Sequence, residues 1–322
     1  MIHLLIQQSV VKGNLMKKQW LGIVLAMCLA SVAFAQSAPQ GQALRPFDKN
    51  NPQPPCNGSC LINYNGGPVF ETAPTVYIIF YGGWSAQDEN IIDYFFAHLG
   101  GTTTEAINTT YSDSTGTFIP NAVNHSHKND NKDNYSLGKS LSGDGDIQRI
   151  VASAIKSKRL PDDPNGIYFV LTYKDVTDPG FCSQFCGYHG PSTSIVSGEV
   201  IKYSMVGDPD QCPSGCETSH ILGDPGSPNN DPGADGTVAI MWHEFSESSS
   251  DPEVNLNTAW AGNSCGESGD CCAWIFGNVK TDKNGHKYTN TIDQRHYAMQ
   301  EMFKLTSKSR TGNVPGVCKN VF

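Results

Sequence analysis

The sequence has few charged residues and a deficit of basic ones. Of its 322 residues, 16% are charged, with 22 Lys and Arg against 31 Asp and Glu. Nucleic acids and anionic membrane surfaces require basic patches, so this balance argues against both as partners. The 32 glycines and 19 prolines are typical of a loop-rich extracellular protein rather than of a disordered chain.

Two motifs of common hydrolases are also missing. No Gly-x-Ser-x-Gly elbow occurs, which disfavours a serine hydrolase. The His-Glu-x-x-His motif of zinc proteases is present only in an altered form, with glutamate in place of the second histidine. A glycosidase that uses two carboxylates stays open, because the separation of carboxylates is not visible in a sequence.

Long apolar runs are scarce, and the main one is N-terminal. The run from Trp20 to Phe34 follows two lysines and closes with Ala-Phe-Ala at 33–35, which is the layout of a secretory signal peptide. It is too short for a membrane span, so we expect no membrane insertion. We therefore predict a signal peptide over 1–35, with 1–15 as a start-site extension if translation begins at Met16. The protein is expected to be secreted, either extracellular or periplasmic, and its mature chain has 19 basic against 31 acidic residues.

Cysteine usage agrees with export. Of 11 cysteines, Cys28 lies in the predicted signal peptide, and the other ten suit five disulfides in an oxidising compartment. The adjacent Cys271 and Cys272 cannot readily bond to each other, so at least one should tie its loop to a distant segment. Cys318 is expected to hold the C-terminus, and zinc binding by the cysteines is the alternative. Six of the ten share one spacing, and the sequence does not fix their partners: Cys56 with Cys60, Cys182 with Cys186, and Cys212 with Cys216.

Hydrophobic patterns predict a single α/β domain over residues 56–322, preceded by a disordered lead-in over 36–55 that is rich in Pro, Gln and Asn. Strand and helix patterns interleave, so the expected fold is a loop-rich mixed sheet flanked by helices and cross-linked by disulfides. The polar segment from Thr102 to Lys139 is expected to form an edge hairpin and loop. The predicted strands are Thr75–Tyr81 and Ile167–Thr172, and the predicted helices are Ala86–Leu99 (capped by Ser85), Asp146–Lys158 and Thr291–Leu305.

The motif most relevant to chemistry is His243-Glu244-Phe245-Ser246-Glu247. Apolar residues at three- and four-residue spacing predict a helix that starts at Asp235-Gly236 and ends by Ser250 or Asp251, just before a proline. On a helix, positions i and i+4 share one face, so His243 and Glu247 are placed to bind one metal ion while Glu244 reaches a bound water. The alternative is that these residues form the solvated face of an amphipathic helix.

Catalytic zinc usually takes three protein ligands and accepts both imidazole and carboxylate. Asp251, Glu267 and Asp270 are the candidates for the third ligand, and the last two lie in a glycine-rich loop pinned by cysteines. So many oxygen donors make calcium the alternative metal. In that case His243 would not be a ligand and the site would be structural.

Three other histidines lie in polar or cysteine-rich segments. His189 lies between two glycines in a segment bracketed by cysteines, where it is a candidate fourth ligand or oxyanion stabiliser, or else a loop histidine without a chemical role. His125 and His127 alternate in a polar segment and are expected to be solvated.

Several segments together resemble the phosphate-induced protein family, also called the EXORDIUM family, known from secreted plant proteins. The resemblance covers nearly the whole chain from about residue 61. It implies an extracellular matrix location and growth responses rather than a settled reaction. The resembling segments are Gly66-Gly67-Pro68-Val69, Thr75 to Ser85, Leu160 to Thr172, Phe181 to His189, Gln211 to Cys216 and Asn284 to Tyr288.

The His-Glu helix is similar to microbial relatives in which His-Glu-x-x-Glu is followed by Asp-Pro, whereas the plant members lack the His-Glu pair. This resemblance implies a metalloprotease scaffold, zincin-like around the helix. The resulting hypothesis is a zinc-dependent hydrolase of a peptide or cell-wall substrate, with Glu244 as general base. The alternative is a non-catalytic extracellular or cell-wall-associated binding module with structural calcium or no metal. The sequence does not indicate an oligomeric state.

Overall fold

A computed structural model describes residues 43–50, 60–262, 265–309 and 311–320, all of which belong to one compact unit, Ala35–Phe322. The predicted signal peptide and start-site extension lie outside the described residues, as does most of the predicted lead-in. Within the described ranges, no helix has both the length and the apolarity that a bilayer span requires.

The described residues form fourteen strands and five α-helices. The helices are α1 (Ala86–Leu99), α2 (Asp144–Lys156), α3 (Pro213–Cys216), α4 (Thr218–Ile221) and α5 (Pro232–Ser250). The strands are β1 (Ala43–Leu44), β2 (Leu61–Tyr64), β3 (Thr75–Tyr81), β4 (Asp130–Asp133), β5 (Gly166–Thr172), β6 (Gly187–Ser192), β7 (Ile201–Gly207), β8 (Trp260–Ala261), β9 (Lys280–Thr281), β10 (Lys287–Tyr288), β11 (Asn290–Ile292), β12 (Arg295–Tyr297), β13 (Met302–Leu305) and β14 (Asn313–Lys319).

The main sheet is mixed and has the order β1-β6-β7-β5-β3-β4. Strands β4, β3, β5 and β7 are parallel, whereas β6 runs antiparallel to β7 and β1 antiparallel to β6. Every residue of β5 is buried, as expected for a strand covered on both faces. A second, antiparallel sheet has the order β13-β14-β2-β8.

Helices cover both faces of the main sheet. Residues of β3 alternate between two cores, with Ile78 facing α1 and α5 and Ile79 facing α2. Helices α1 and α5 pack against each other, with Phe96 meeting Phe245 at a ring-centroid distance of 5.6 Å. The predicted mixed α/β architecture flanked by helices is therefore confirmed, and α5 lies in its interior.

The locally encoded elements agree with prediction. Strand β3 and helix α1 have the predicted bounds, and Ser85 and Asp88 form a reciprocal capping box at the start of α1. Helix α2 begins two residues before the predicted start. The polar segment after α1 supplies an edge strand, but β4 pairs in parallel with β3 instead of forming a hairpin with it.

Two segments differ from prediction. Within the predicted disordered lead-in, β1 pairs with β6 and Leu44 is buried, because its side chain packs into the main core. The helix predicted over Thr291–Leu305 is wrong, since this segment forms β11, β12 and β13. Asp293 adopts a left-handed conformation (φ 51°) in the turn between β11 and β12, which a helix does not tolerate.

Four disulfides lie within the described residues, and Cys60 is also disulfide-bonded. Cys272 bonds to Cys318, so the prediction that the 271–272 loop is tied to a distant segment and that Cys318 holds the C-terminus is confirmed. Zinc binding by these cysteines is therefore excluded. The remaining bridges are Cys182–Cys212, Cys186–Cys216 and Cys265–Cys271.

Candidate metal centre

The helix that carries the His-Glu motif is buried along its length. All its residues except Pro232 are buried, so the interpretation of a solvated amphipathic face is wrong. It begins three residues before the predicted Asp235, because Asp231 caps it by accepting a hydrogen bond from the Ala234 N–H. It ends as predicted, with Asp251 at the C-cap. The motif therefore projects into protein and not into solvent.

The i,i+4 pair of the motif is formed. His243 Nε2 lies 3.1 Å from Glu247 Oε1, and both side chains are fully buried. Asp270 reaches the pair from the loop, with its Oδ1 3.7 Å from His243 Nε2 and its backbone N–H donating to Glu247 Oε1 at 2.9 Å. Donor atoms of the three residues lie within 4.8 Å of one another, as in a metal-binding group. We call His243, Glu247 and Asp270 the helix–loop group.

His189 brings a second set of donors to the same place. Its Nδ1 lies 3.2 Å from Glu244 Oε2 and 3.5 Å from Glu247 Oε2, and its Nε2 lies 3.7 Å from Glu267 Oε1. His189, Glu244 and Glu247 also have donor atoms within 4.8 Å of one another. His189 belongs to strand β6 and not to a loop, and its side chain is 1% exposed. The placement of His189 in a loop is therefore wrong.

The other two candidate ligands have different positions. Asp251 Oδ1 accepts a hydrogen bond from the Ala259 N–H at 2.7 Å, so this side chain fixes the segment that follows the helix. Glu267 is buried beside His189. Neither residue belongs to a three-residue metal-binding group among the described residues. Of the three candidates for the third ligand, Asp270 is the one that the fold brings to His243 and Glu247.

Two glycines allow this close packing. A Cβ atom at Gly269 would lie 2.8 Å from His243 Nδ1 and 2.9 Å from Glu247 Oε1, so the loop approaches the helix only without a side chain there. A Cβ atom at Gly187 would lie 3.2 Å from Glu244 Oε1. Neither role was predicted from the sequence. The available signal was a glycine close to each ligand, Gly269 before Asp270 and Gly187 two residues before His189.

The cluster carries an excess of buried acid. Glu244, Glu247, Asp251, Glu267 and Asp270 share it with two imidazoles, so with every acid ionised it would be anionic even if both histidines were protonated. Burial, and then the Glu247 charge, raises the pKa of Glu267 and of Asp270 well above the usual range. Burial likewise raises the pKa of Glu244, and it raises that of Asp251 to about 7.

The His243–Glu247 pair responds in the opposite sense. Burial alone would raise the pKa of Glu247, but the His243 imidazole outweighs it and the pKa falls below its usual value. Burial alone would lower the pKa of His243, but the attraction of the Glu247 carboxylate is larger than this effect, so the pKa of His243 is raised. The two side chains therefore behave as an ion pair, while the remaining four acids have one other imidazole among them, that of His189.

The cluster also contains buried polar atoms without hydrogen-bond partners. Among the described residues, His189 Nε2, both ring nitrogens of His243, Glu244 Oε1, Glu247 Oε2, Asp251 Oδ2 and both carboxylate oxygens of Glu267 are buried without a hydrogen-bond partner. Such atoms destabilise a fold unless another species satisfies them. A divalent ion would satisfy several at once, and a donor set of imidazole nitrogens and carboxylate oxygens fits zinc.

Asp270 connects the cluster with solvent. Its side chain is 21% exposed, whereas those of His243 and Glu247 are 0% exposed. The loop that carries Asp270 is closed by the Cys265–Cys271 bridge. Asp270 is the first residue of the 3-10 turn Asp270–Cys272. Solvent therefore meets the cluster from the loop side.

Comparison with known proteins gives the family. The conserved region of phosphate-induced protein 1 matches residues 62–309, which include all seven residues of the cluster. The chain belongs to the phosphate-induced protein 1 family. Among relatives of this family member, Protein EXORDIUM-like 5 of Arabidopsis thaliana is 33% identical over 286 residues, covering 78% of this chain and 77% of the relative. Protein EXORDIUM-like 3 of Arabidopsis thaliana is 30% identical over 284 residues, covering 78% and 82%.

The tobacco (Nicotiana tabacum) Protein PHOSPHATE-INDUCED 1 is 29% identical over 202 residues, covering 55% of this chain and 61% of the relative. No solved structure gives a significant match to this phosphate-induced protein 1 family member. The family resemblance read from the motifs is confirmed. The names of these relatives specify no reaction, so the chemistry has to be argued from the cluster itself.

Proposed function

We propose that this protein is a secreted, zinc-dependent hydrolase in which the helix–loop group binds the metal and Glu244 is the general base. The observation that carries the proposal is the 3.1 Å approach of His243 Nε2 to Glu247 Oε1, with Asp270 as a third donor. The substrate class is an amide or ester of a peptide or cell-wall polymer. The predicted signal peptide and the disulfides support export.

Zinc is preferred over calcium because of the donors. Calcium takes six to eight oxygen ligands, whereas two imidazoles project into this cluster. Zinc accepts imidazole nitrogen and carboxylate oxygen in one tetrahedral site. When bound, zinc lowers the pKa of a coordinated water toward about 7.

Glu244 would be the residue that accepts a proton from a water at such a metal. Its Oε2 is held by His189 Nδ1 at 3.2 Å, while its Oε1 has no hydrogen-bond partner among the described residues. Burial raises its pKa above the usual value, and a carboxylate with a raised pKa is a stronger general base. His189 is thus a positioning residue that orients the base, or a further ligand.

The scaffold supports a zincin-like interpretation of this site. Helix α5 packs against a mixed sheet, and the antiparallel strand β6 lies beside the face of α5 that bears Glu244 and Glu247. The placement of this chain in a microbial branch of the family, with an intact His-Glu-x-x-Glu motif, belongs to the same proposal.

Elemental analysis of protein purified from an exporting host tests the metal. Glu247→Ala should lose one equivalent of zinc relative to the parent. Ser248→Ala is the matched control, because Ser248 is buried on the same helix and should leave the zinc content unchanged. If both variants and the parent contain the same amount of zinc, the helix–loop group is not a zinc site.

Turnover of a peptide library tests the reaction. Glu244→Gln should retain the zinc and lose activity by about 10²–10⁴-fold, the usual contribution of a general base. Activity that survives in this variant would exclude Glu244 as the base.

A second candidate function is a non-catalytic extracellular binding module with a structural ion, and complete burial of His243 and Glu247 favours it. In that case chelation would lower thermal stability while no substrate of any tested class is turned over. Zinc and calcium would then be told apart by which ion restores the stability of the chelated protein.

A further inference from the structure

A different cluster of histidines and aspartates lies at the β4 edge of the main sheet, opposite the edge formed by β1 and β6. Asp93 on helix α1 faces the segment that leads into β4, which carries His125 and His127, and Asp130 is the first residue of the strand. We propose that Asp93, His125, His127 and Asp130 form a second zinc site, independent of the helix–loop group.

The distances bring ligand atoms close enough to share one ion. Ligand atoms at about 2.0–2.1 Å from a tetrahedral zinc lie about 3.3 Å from one another. His125 Nε2 is 2.8 Å from Asp93 Oδ1 and 3.8 Å from Asp130 Oδ1. His127 Nδ1 is 2.9 Å from Asp93 Oδ2 and 3.6 Å from Asp130 Oδ2. The two histidines approach different oxygens of each carboxylate. Asp93, His127 and Asp130 have ligand atoms within 4.8 Å of one another, and His125 lies beside this group against the other oxygen of each aspartate.

His125 is oriented as a metal ligand is. Its Nδ1 lies 2.9 Å from the Val76 carbonyl oxygen, so Nδ1 donates its proton there and Nε2 points toward the two aspartates. A backbone carbonyl that fixes one ring nitrogen is the usual support for a histidine that binds metal through the other. The prediction that His125 is solvated is wrong, since its side chain is 0% exposed.

Two side chains of the cluster are buried and one is exposed to solvent, so an ion can enter from the exposed side. The side chains of Asp93 and His125 are 4% and 0% exposed, whereas His127 is 74% exposed, as predicted for that residue. Asp130 Oδ1 is buried without a hydrogen-bond partner among the described residues. An ion entering past His127 would meet two buried ligands and satisfy this oxygen.

The site joins a helix to the edge of the sheet. Asp93 comes from α1, and the other three residues come from the segment that ends in β4, the outermost parallel strand. Two imidazoles with two carboxylates favour zinc over calcium or magnesium. A bound zinc would therefore cross-link helix α1 to an edge strand that, within the described residues, pairs with β3 alone.

Protection of His127 from diethyl pyrocarbonate, mapped by mass spectrometry on the full chain, tests this proposal. Saturating zinc should slow modification of His127 at least 10-fold, while magnesium should not. His98, an exposed histidine on α1, is the internal control and should react at the same rate with and without zinc.

Variants separate this site from the helix–loop group. Asp93→Asn and Asp130→Asn should each abolish the protection, and Glu247→Ala should leave it intact. Asp130 is partly exposed, so its variant tests the site even if Asp93→Asn fails to fold. Equal modification rates of His127 with and without zinc, or protection that both aspartate variants retain, would overturn the proposal.

Discussion

Strand β6 approaches helix α5 so closely that one position tolerates no side chain. A Cβ atom at Gly187 would lie 2.6 Å from Ile240 Cγ2 and 3.0 Å from the Met205 carbonyl oxygen. On the same strand, a Cβ atom at Gly190 would meet nothing closer than Tyr203 Oη at 3.8 Å, an ordinary contact. Gly187→Ala and Gly190→Ala are therefore a matched pair that differs in the space available.

We expect Gly187→Ala to lower the free energy of unfolding by about 1–3 kcal/mol, the usual cost of overpacking a dense core. The carbonyl belongs to the neighbouring strand and Ile240 to a buried helix, so neither moves aside easily. Gly190→Ala should stay within about 1 kcal/mol of the parent, because alanine loses less backbone entropy than glycine on folding.

Gly187→Ala should also change the geometry of the candidate metal centre. His189 is two residues from Gly187 and projects from the same face of β6 toward Glu244. Moving the strand away from α5 would carry the imidazole away from the carboxylates. We therefore expect Gly187→Ala to weaken zinc binding, and Gly190→Ala to leave it unchanged.

Denaturant unfolding followed by circular dichroism, with the disulfides intact, measures the first effect. Competition with a zinc chelator of known affinity measures the second. Equal free energies of unfolding for the two variants, or a larger loss for Gly190→Ala, would refute the packing argument.

Three further predictions concern pH, a disulfide and the metal. Burial, and then the charges of Asp144 and Asp146, raises the pKa of Asp178 to about 7. Protonation of Asp178 therefore contributes fully to the free energy of unfolding below about pH 4, and this contribution is lost as the pH rises through 7. Asp178→Asn should accordingly be about 1–3 kcal/mol more stable than the parent at pH 8, measured by denaturant unfolding. Replacing Cys265 and Cys271 by serine frees the loop that bears Asp270 and should weaken zinc binding at least 10-fold in the same competition assay, whereas replacing Cys182 and Cys212 should not. Chelation of zinc should lower the melting temperature in calorimetry, since a ligand at about 1,000 times its Kd stabilises by about 4 kcal/mol.

Local sequence signals were sufficient for elements whose pattern is set within a few residues. The run Thr75–Tyr81 is apolar, β-branched and aromatic, and Ser85 with Asp88 marks the start of α1. The proline at 252 fixed the end of α5. The helix predicted over Thr291–Leu305 failed because its apolar residues fall at helical spacing by coincidence, while the turn at Asp293 and pairing between strands decide the structure.

The candidate site was predictable in part for the same reason. Helix geometry alone places His243 and Glu247 on one face, and they meet. The approach of Asp270 depends on a loop closed by a disulfide, and that of His189 on the path of strand β6. Asp251 was an equally good candidate in sequence, but the backbone N–H of Ala259 takes one of its oxygens. Such choices between equivalent residues are made by tertiary contacts.

The burial of α5 shows why its serines were misleading. Serines at the end of a helix suggest solvent, yet Ser249 Oγ donates to the Phe245 carbonyl oxygen at 2.7 Å and Ser250 Oγ to the Ser246 carbonyl oxygen at 3.1 Å. A hydroxyl that bonds to the preceding turn carries its own partner into the interior. Polar composition therefore does not distinguish an exposed helix face from a buried one that is internally satisfied.

The serines and the acids of the cluster differ in whether their polar atoms have hydrogen-bond partners. The hydroxyls of Ser249 and Ser250 are satisfied by their own helix, whereas Glu267 has no hydrogen-bond partner among the described residues for either oxygen. Replacing such acids by apolar residues of similar size would generally stabilise a fold. Such an acid is buried at lower cost when it takes up a proton, as its raised pKa allows, or when a cation neutralises it. Metal binding is therefore expected to be coupled to folding in this protein, with the ion acting as part of the core as well as of the chemistry.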